Sequence, residues 1–293
     1  MTEIGTYEEL AKIGSNDDYP LSGSYKLTSD IILPETADKA AAEYGNWTPI
    51  GDASAPFTGT FDGNGHKITS IEIASDKRVG NQGLFGVINK ASVKNVAVEG
   101  TLLFISTNSP NIGLIAGYAK ESELVNCYAS GSTQGTFTVG GLVGKAEGSC
   151  AIANCAFEGN VAGSGRGPGG ILGSHADNVT VNNCYAAAAF ENSTGINGVI
   201  AGNSMTGKTG TIRAYGRIID GVNICAPKNT AALAYFVYEP EGLAEEKMKS
   251  AEFADTLNFN IKEYGNSEWS EWACIKDGYL LPIYRPTAGH LKA

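Results

Sequence analysis

A near-constant repeat constrains the fold of this chain more than any other feature. Five slices each begin with a glycine followed by apolar residues, at Gly83, Gly113, Gly141, Gly170 and Gly198. Successive starts lie 30, 28, 29 and 28 residues apart. A fixed period in the range of about 20–50 residues is typical of a solenoid, in which each repeat packs on its neighbours.

The second half of each slice repeats as well and contains one asparagine, at Asn95, Asn126, Asn154 and Asn183. Side chains of a plain strand alternate between two faces. Here Val93 and Val96 are three residues apart, yet both match core positions, so we predict a corner at the asparagine, which tolerates turn dihedrals. Stacked coils would let the amides bond one another along that corner. Ser70 and Thr211 take the same position in outer slices.

These patterns predict an all-β fold, a parallel β-solenoid (β-helix) of about six to seven coils whose strands lie about 4.8 Å apart. Hairpins in a sandwich are the alternative, but they do not predict near-equal slices. We expect residues 1–33 to form an N-terminal cap with a short helix capped by Thr6. The solenoid is expected over 34–225, with a surface insertion at 34–56, and a small α+β C-terminal cap over 226–293.

Three of the six cysteines, Cys127, Cys155 and Cys184, occupy one position in successive slices. Stacking would bring their Cα atoms within disulfide reach. Three residues in one column cannot all pair, and Val96 and Ile212 are expected to continue the column at its ends. We interpret the cysteines as buried thiols that act as small hydrophobes, with a disulfide as the alternative.

Bulk composition excludes several functional classes. The formal net charge is −10 and only 18% of residues are charged, which argues against nucleic-acid binding. The sequence contains no apolar run of about 18 residues, so no membrane insertion is expected. The first residues lack a basic and apolar export signal, which fits either a cytosolic protein or a start after a removed signal.

Two tyrosines are the candidate binding residues. Tyr128 and Tyr185 share one outward position, with Ala156 between them, and aromatic faces on a rigid sheet suit sugar rings or protein partners. Ordinary solvated or cap-covered tyrosines are the alternative. Glu99 and Glu158 lie two slices apart, near 10 Å, which makes only a weak carboxylate pair for glycoside hydrolysis.

The remaining residues predict no catalytic centre, no metal site and no cofactor. His66 and His175 are expected to be surface imidazoles, far apart in sequence. Asp62 opens the tight-turn sequence DGNG, which lacks the acidic spacing of a calcium loop. No Cys-x-x-Cys pair suggests zinc.

The slices GLIAGYAKESELVNCYASG, GLVGKAEGSCAIANCAFEG and GILGSHADNVTVNNCYAAA resemble the GLUG-motif family of bacterial surface and adhesin-like proteins. The resemblance implies a right-handed β-solenoid and an extracellular or cell-surface location. Similar repeats occur beside the catalytic domain of IgA-protease-like enzymes. This chain has no His-Glu-x-x-His motif, so the protease activity is not carried over.

The sequence therefore predicts a non-enzymatic surface or secreted module, monomeric, that functions in adhesion or in binding a glycan or a host surface protein. Two alternatives remain open. One is a polysaccharide lyase or glycoside hydrolase on a β-helix scaffold, and the other is a passive spacer of a larger surface protein.

Overall fold

The structure is a computed structural model that describes residues 1–35, 45–74, 80–104, 111–163, 168–176, 178–191, 198–204, 209–220, 222–225, 235–265, 267–274 and 280–282. Within these ranges the chain is mostly short strands, and three short helices lie near its two ends. The helices are α1 (Tyr7–Leu10), α2 (Glu245–Met248) and α3 (Ala251–Tyr264).

The strands are β1 (Thr2–Ile4), β2 (Ser24–Leu27), β3 (Ile31–Ile32), β4 (Thr60–Asp62), β5 (Lys67–Ala74), β6 (Phe85–Asn89), β7 (Ser92–Lys94), β8 (Ala97–Leu103), β9 (Asn111–Ile112), β10 (Ala116–Lys120), β11 (Glu123–Val125), β12 (Tyr128–Gly135), β13 (Thr138–Val139), β14 (Val143–Glu147), β15 (Ala151–Ala153), β16 (Ala156–Gly163), β17 (Leu172–His175), β18 (Val179–Ala189), β19 (Gly198–Ser204), β20 (Thr209–Arg217), β21 (Asn223–Cys225), β22 (Tyr235–Leu243), β23 (Trp272–Cys274) and β24 (Leu280–Pro282).

Parallel stacking confirms the solenoid. The strand order of the larger sheet is β1-β2-β4-β7-β11-β15-β18-β16-β12-β8-β5-β3. In the preceding coil the corner asparagine separates β15 from β16. The single strand β18 continues past that position and pairs with both of them. A second sheet stacks β6, β10, β14, β17, β19 and β21. The coils form about five turns, fewer than the six to seven expected.

The apolar residues that precede the corners form one core column. Val93, Leu124, Ile152 and Val181 pair in register across successive coils, and all four are fully buried. The corner asparagines that follow have φ angles of 54°, 53°, 54° and 51°. This left-handed region is one that asparagine visits more readily than other non-glycine residues. Local sequence chemistry therefore positions the corners.

Two outer coils depart from the expected corner positions. Ile68 pairs with Val98 and Ile71 with Gly100, so Ser70 forms a bulge within β5 instead of a corner. Its φ of 62° has the value of a corner residue, but its place in the coil is different. Below Asn95 the coil turns at the DGNG sequence, where Asp62 Oδ1 accepts from Asn64 N at 2.8 Å, as the tight-turn interpretation predicts.

The coil at β20 has no corner residue. Asn182 pairs with Arg213 and Cys184 pairs with Ala214, so Asn183 has no counterpart there. Thr211 pairs with Thr180, and the expectation that Thr211 occupies the corner position is wrong. For the same reason Ala214, and not Ile212, continues the cysteine column.

The two ends of the chain are built differently from each other. At the N-terminus, Thr6 Oγ1 accepts from Glu9 N at 3.2 Å, and Glu9 Oε2 accepts from Thr6 N at 3.2 Å, which is the expected capping box. At the other end, β22 pairs in parallel with β20, so the stack extends to Leu243, past the boundary expected at residue 225. Most of the insertion's expected helical loop, 36–44, lies outside the described residues.

Candidate functional site

The corner asparagines form a continuous hydrogen-bonded ladder. Asn126 Nδ2 donates to Asn95 Oδ1, Asn154 Nδ2 to Asn126 Oδ1, and Asn183 Nδ2 to Asn154 Oδ1, each at 2.8 Å. Asn126, Asn154 and Asn183 are buried. Amide stacking of this kind is available only when the coils are in register, so the ladder holds the coils in that register.

A C-terminal segment covers this ladder from outside. We call it the strap and define it by described residues 245–265 and 267–274. Each buried ladder amide donates a second hydrogen bond to a strap carbonyl: Asn126 to Glu268 (2.7 Å), Asn154 to Ser270 (2.7 Å) and Asn183 to Leu257 (3.1 Å). The strap therefore runs across successive coils along the corner.

The strap also donates back to the ladder. Ser270 N donates to Asn126 Oδ1 at 2.8 Å, Trp272 Nε1 donates to Asn154 Oδ1 at 2.5 Å, and Asn260 Nδ2 donates to Asn183 Oδ1 at 3.1 Å. Buried amide groups that lack partners cost about 1–3 kcal/mol each, so this exchange satisfies groups that the ladder alone would leave unpaired. The ladder residues were identifiable from their spacing, whereas the strap's pairing with them has no sequence signal.

The strap changes the interpretation of the candidate tyrosines. Tyr185 is fully buried, with its ring centroid 5.7 Å from that of Phe253 and 5.4 Å from that of Trp272. Its hydroxyl donates to the carbonyl of Leu280. The expectation that Tyr185 presents an exposed ring for binding is therefore wrong, because α3 and β23 fill the space above it. The cap-covered alternative describes it correctly.

Tyr128 lies at the edge of the strap and is partly exposed. Its hydroxyl donates to Glu158 Oε2 at 2.8 Å. Burial, and then the negative charge of Glu158, raise the pKa of the Tyr128 phenol well above its ordinary value. The neutral phenol therefore orients Glu158, and part of the ring remains at the surface.

Beyond Tyr128, the outward side chains of β8, β12 and β16 form a polar surface. We call this surface the open face; its residues are Glu99, Thr101, Ser130, Ser132, Glu158 and Asn160. Register aligns Glu99, Ser130 and Glu158 in one row, and Thr101, Ser132 and Asn160 in the next. All six side chains are exposed or partly exposed. No lysine, arginine or histidine belongs to these three strands.

The cysteine column is stacked and reduced. Cys127 N lies 3.3 Å from Cys155 Sγ, and Cys155 N lies 3.3 Å from Cys184 Sγ. All three thiols are free and fully buried. Burial, followed by the neighbouring thiols, raises the pKa of Cys155 well above its ordinary value. The three cysteines therefore act as small core residues, and the disulfide alternative is not realised among them.

This burial predicts low thiol reactivity. In the folded protein, Cys127, Cys155 and Cys184 should react with a disulfide reagent on the order of 100-fold more slowly than in urea, because reaction requires an exposed thiolate. Mass spectrometry after timed labelling measures each site. Ser130→Cys supplies a control thiol on the open face and should react at once. Rapid native labelling of Cys155 would contradict the buried column.

The histidines lie elsewhere than expected. Both His66 and His175 are buried, so their assignment as surface imidazoles is wrong. His66 Nδ1 lies 3.2 Å from Asp30 Oδ1 in the first coils. Burial lowers the pKa of His175 to about 4, so this ring is neutral near pH 7. His66 lies in the turn before β5 and His175 lies at the end of β17 in the second sheet, so the two rings do not form a common site.

A cavity of about 750 Å³ lies beside the N-terminal cap. Its polar groups are already used within the protein. Asn46 Nδ2 donates to the carbonyl of Ser70 at 2.6 Å, and Trp47 Nε1 donates to that of Leu84 at 3.0 Å. Asp52 Oδ1 accepts from Ser54 and from the backbone of Ala55. This cavity therefore offers a ligand few groups that lack partners.

The described ranges contain neither a metal-ligand cluster nor a membrane-spanning helix. No group of three or more His, Cys, Asp or Glu side chains there is arranged to hold a metal ion. No helix in the same part of the chain is long and apolar enough to cross a lipid bilayer.

Comparison with known proteins confirms the motif. A family model described as the GLUG motif matches residues 135–162. Halomucin from Haloquadratum walsbyi is 32% identical over 149 residues, which is 50% of this chain and 2% of halomucin. A proposed Gly-rich membrane protein from Evansella cellulosilytica is 33% identical over 95 residues, or 32% of this chain and 10% of that protein. The chain thus spans a small fraction of the relatives it matches.

One solved structure matches nearly the whole fold. It is a crystal structure from Bacteroides ovatus, presented as a proposed immunoglobulin A1 protease, with a TM-score of 0.60. The match covers 97% of this chain and 92% of that one, at 19% sequence identity. At this identity the likeness concerns the fold alone.

Proposed function

We propose that this chain is a non-enzymatic β-solenoid module of an extracellular or cell-surface protein, and that it binds glycans through the open face. The observation that carries the proposal is the open face itself, a flat polar surface on a rigid scaffold. Strands paired in register place its side chains at fixed spacings.

The chemistry of the open face suits sugar hydroxyls. Glu99 and Glu158 accept hydrogen bonds, and Ser130 and Thr101 both donate and accept. The exposed part of Tyr128 adds an aromatic surface at one end, against which a sugar ring can pack. Neighbouring strands about 4.8 Å apart allow one chain of sugars to contact several strands.

Location outside the cell is supported by the relatives. One is named a halomucin and another a membrane protein, and this chain matches only 2% and 10% of their lengths. A solenoid that presents a binding surface is well suited to be one module of a long protein. The same facts favour a role as one segment among several.

The open face does not resemble a catalytic centre. Glu99 and Glu158 are two strands apart, about 9.6 Å between their backbones, which is at the upper limit of the carboxyl separation of about 5–9.5 Å that is usual in glycosidases. Glu158 already accepts from Tyr128. A lyase base would require a lysine, arginine or similar group, and none belongs to these three strands. These points support binding without turnover.

A glycan array followed by titration tests the proposal. Thr101→Arg places a long side chain on the open face and should weaken binding of any glycan hit by about tenfold or more. Thr60→Arg is the matched control, because Thr60 faces outward from β4 on a different wall. The purified protein should release no sugar from the bound glycan.

Three outcomes would contradict the proposal. Absence of hits across broad glycan classes would favour a passive spacer. Equal weakening by Thr101→Arg and Thr60→Arg would place the binding surface elsewhere. Release of sugar products, with or without calcium, would favour the alternative of a lyase or hydrolase.

A further inference from the structure

A small polar pocket lies where the asparagine ladder ends. Its volume is about 230 Å³, and its walls include Asn182, Asn183 and Arg213 from the solenoid. The strap contributes Asn260 and Tyr264 from the opposite side. We call this cavity the ladder-end pocket, and it is separate from the open face.

The pocket exists because β20 lacks a corner residue. Asn182 pairs with Arg213 and Cys184 pairs with Ala214, so β20 has no residue opposite Asn183 that could extend the ladder. The strap nevertheless continues across this coil, since Asn260 Nδ2 donates to Asn183 Oδ1 at 3.1 Å and to Tyr215 Oη at 2.9 Å. Asn260 of α3 thus makes the bond that a further ladder amide would make, and the cavity lies beside it, between α3 and the solenoid.

Two polar groups in the pocket lining, the Asn182 amide and the Glu241 carboxylate, are available for a ligand. The Asn182 amide and the Glu241 carboxylate make no hydrogen bond or ion pair with any described residue. The Arg213 guanidinium lies over the ring of Tyr264, at 5.4 Å from its centroid. Tyr264 is 57% exposed and forms the rim. In this respect the pocket differs from the larger N-terminal cavity, whose polar groups are already used.

We infer that the ladder-end pocket binds one neutral pyranose ring, such as the terminal sugar of a glycan chain. Its volume is below the range of about 300–1,000 Å³ that is typical for drug-sized ligands, which suits a single ring. The Asn182 amide and the Glu241 carboxylate supply an acceptor–donor set for vicinal hydroxyls. The exposed ring of Tyr264 packs against the sugar at the rim.

Charge selects a neutral sugar over an acidic one. Arg213 contributes one positive charge, and Glu241 contributes one negative charge within the same pocket. The formal net charge of the whole chain is −10, which repels sialic and uronic acids. A phosphate is disfavoured for the same reason.

Saturation-transfer NMR with methyl glycosides of glucose, galactose, mannose and N-acetylglucosamine tests the inference on the intact chain. Sialic acid and glucuronic acid serve as acidic arms. At least one neutral glycoside should bind, and Tyr264→Ala and Glu241→Gln should each raise its Kd by about tenfold. Phe259→Ala is the matched control, because Phe259 lies on the same helix at 58% exposure, outside the pocket lining.

The results separate this inference from the proposed function. Loss of monosaccharide binding in Tyr264→Ala, with array binding intact and still sensitive to Thr101→Arg, supports two independent sites. Monosaccharide binding that is unchanged in both pocket variants, or present only for the acidic arms, would overturn the inference. Failure of every neutral glycoside to bind would overturn it as well, whatever the array shows.

Discussion

Replacement of Asn154 by leucine is expected to lower the free energy of unfolding by about 4 kcal/mol. The Asn154 amide donates to Asn126 Oδ1 and to the carbonyl of Ser270, and it accepts from Asn183 Nδ2 and Trp272 Nε1. Leucine keeps the approximate volume but leaves these buried partners unsatisfied. Its backbone would also have to hold a φ of 54°, which leucine disfavours.

The matched control is Asn95→Leu. Asn95 has the same φ of 54°, so the backbone strain introduced by leucine is equal in the two variants. Asn95 is only partly buried, accepts from Asn126 and donates to Asp62 at 3.0 Å, and makes no hydrogen bond to a described strap residue. We expect a loss of about 1–2 kcal/mol for this variant. Urea denaturation measures both, and equal losses would contradict the role assigned to the strap.

Replacement of Trp272 by alanine is expected to detach the strap and to destabilise the protein by about 3–5 kcal/mol. The indole is 2% exposed, packs 5.4 Å from the Tyr185 ring and donates to Asn154 Oδ1. Truncation removes the largest buried side chain of the strap and uncovers Tyr185. Limited proteolysis should then cut within the strap, while the coils from β6 to β18 stay protected.

Two further variants separate packing from hydrogen bonding at Trp272. Trp272→Phe keeps a ring but loses the N–H, so we expect a smaller loss of about 1–2 kcal/mol and little new proteolysis. Phe259→Ala changes an exposed side chain of α3 and should leave stability within about 0.5 kcal/mol. If Trp272→Ala melts the coils and the strap together, with no strap-specific cleavage, the strap is an integral part of the cooperative core.

Periodicity explains why most of the solenoid was predictable. Each corner is defined by local chemistry alone. It consists of an asparagine at φ near 54°, an apolar residue two positions before it and a small residue directly after it. Successive corners then align, because each coil can bury its apolar face only against an equivalent one. Asn126, Asn154, Cys127 and Cys155 consequently lie in the columns that their spacing predicts.

The two wrong corner positions arose where one residue was inserted or omitted. Ser70 has the backbone of a corner but lies in a bulge, and the β20 coil omits the corner between Arg213 and Ala214. A one-residue change of register moves every following side chain to the opposite face, so local pattern matching at Thr211 could not detect it. The register is decided by pairing with the neighbouring coil.

The amino-acid sequence alone determined the repeat, the corners and the two buried columns, because these depend on residues that contact their own equivalents one coil away. Only the tertiary structure decided that α3 and β23 cross the ladder, bury Tyr185 and leave Tyr128 at an edge. Contacts such as Asn154 with Trp272 join residues that are 118 positions apart and follow no period. Their partners are selected by which polar groups the coils leave unsatisfied, and that is known only once the chain has folded.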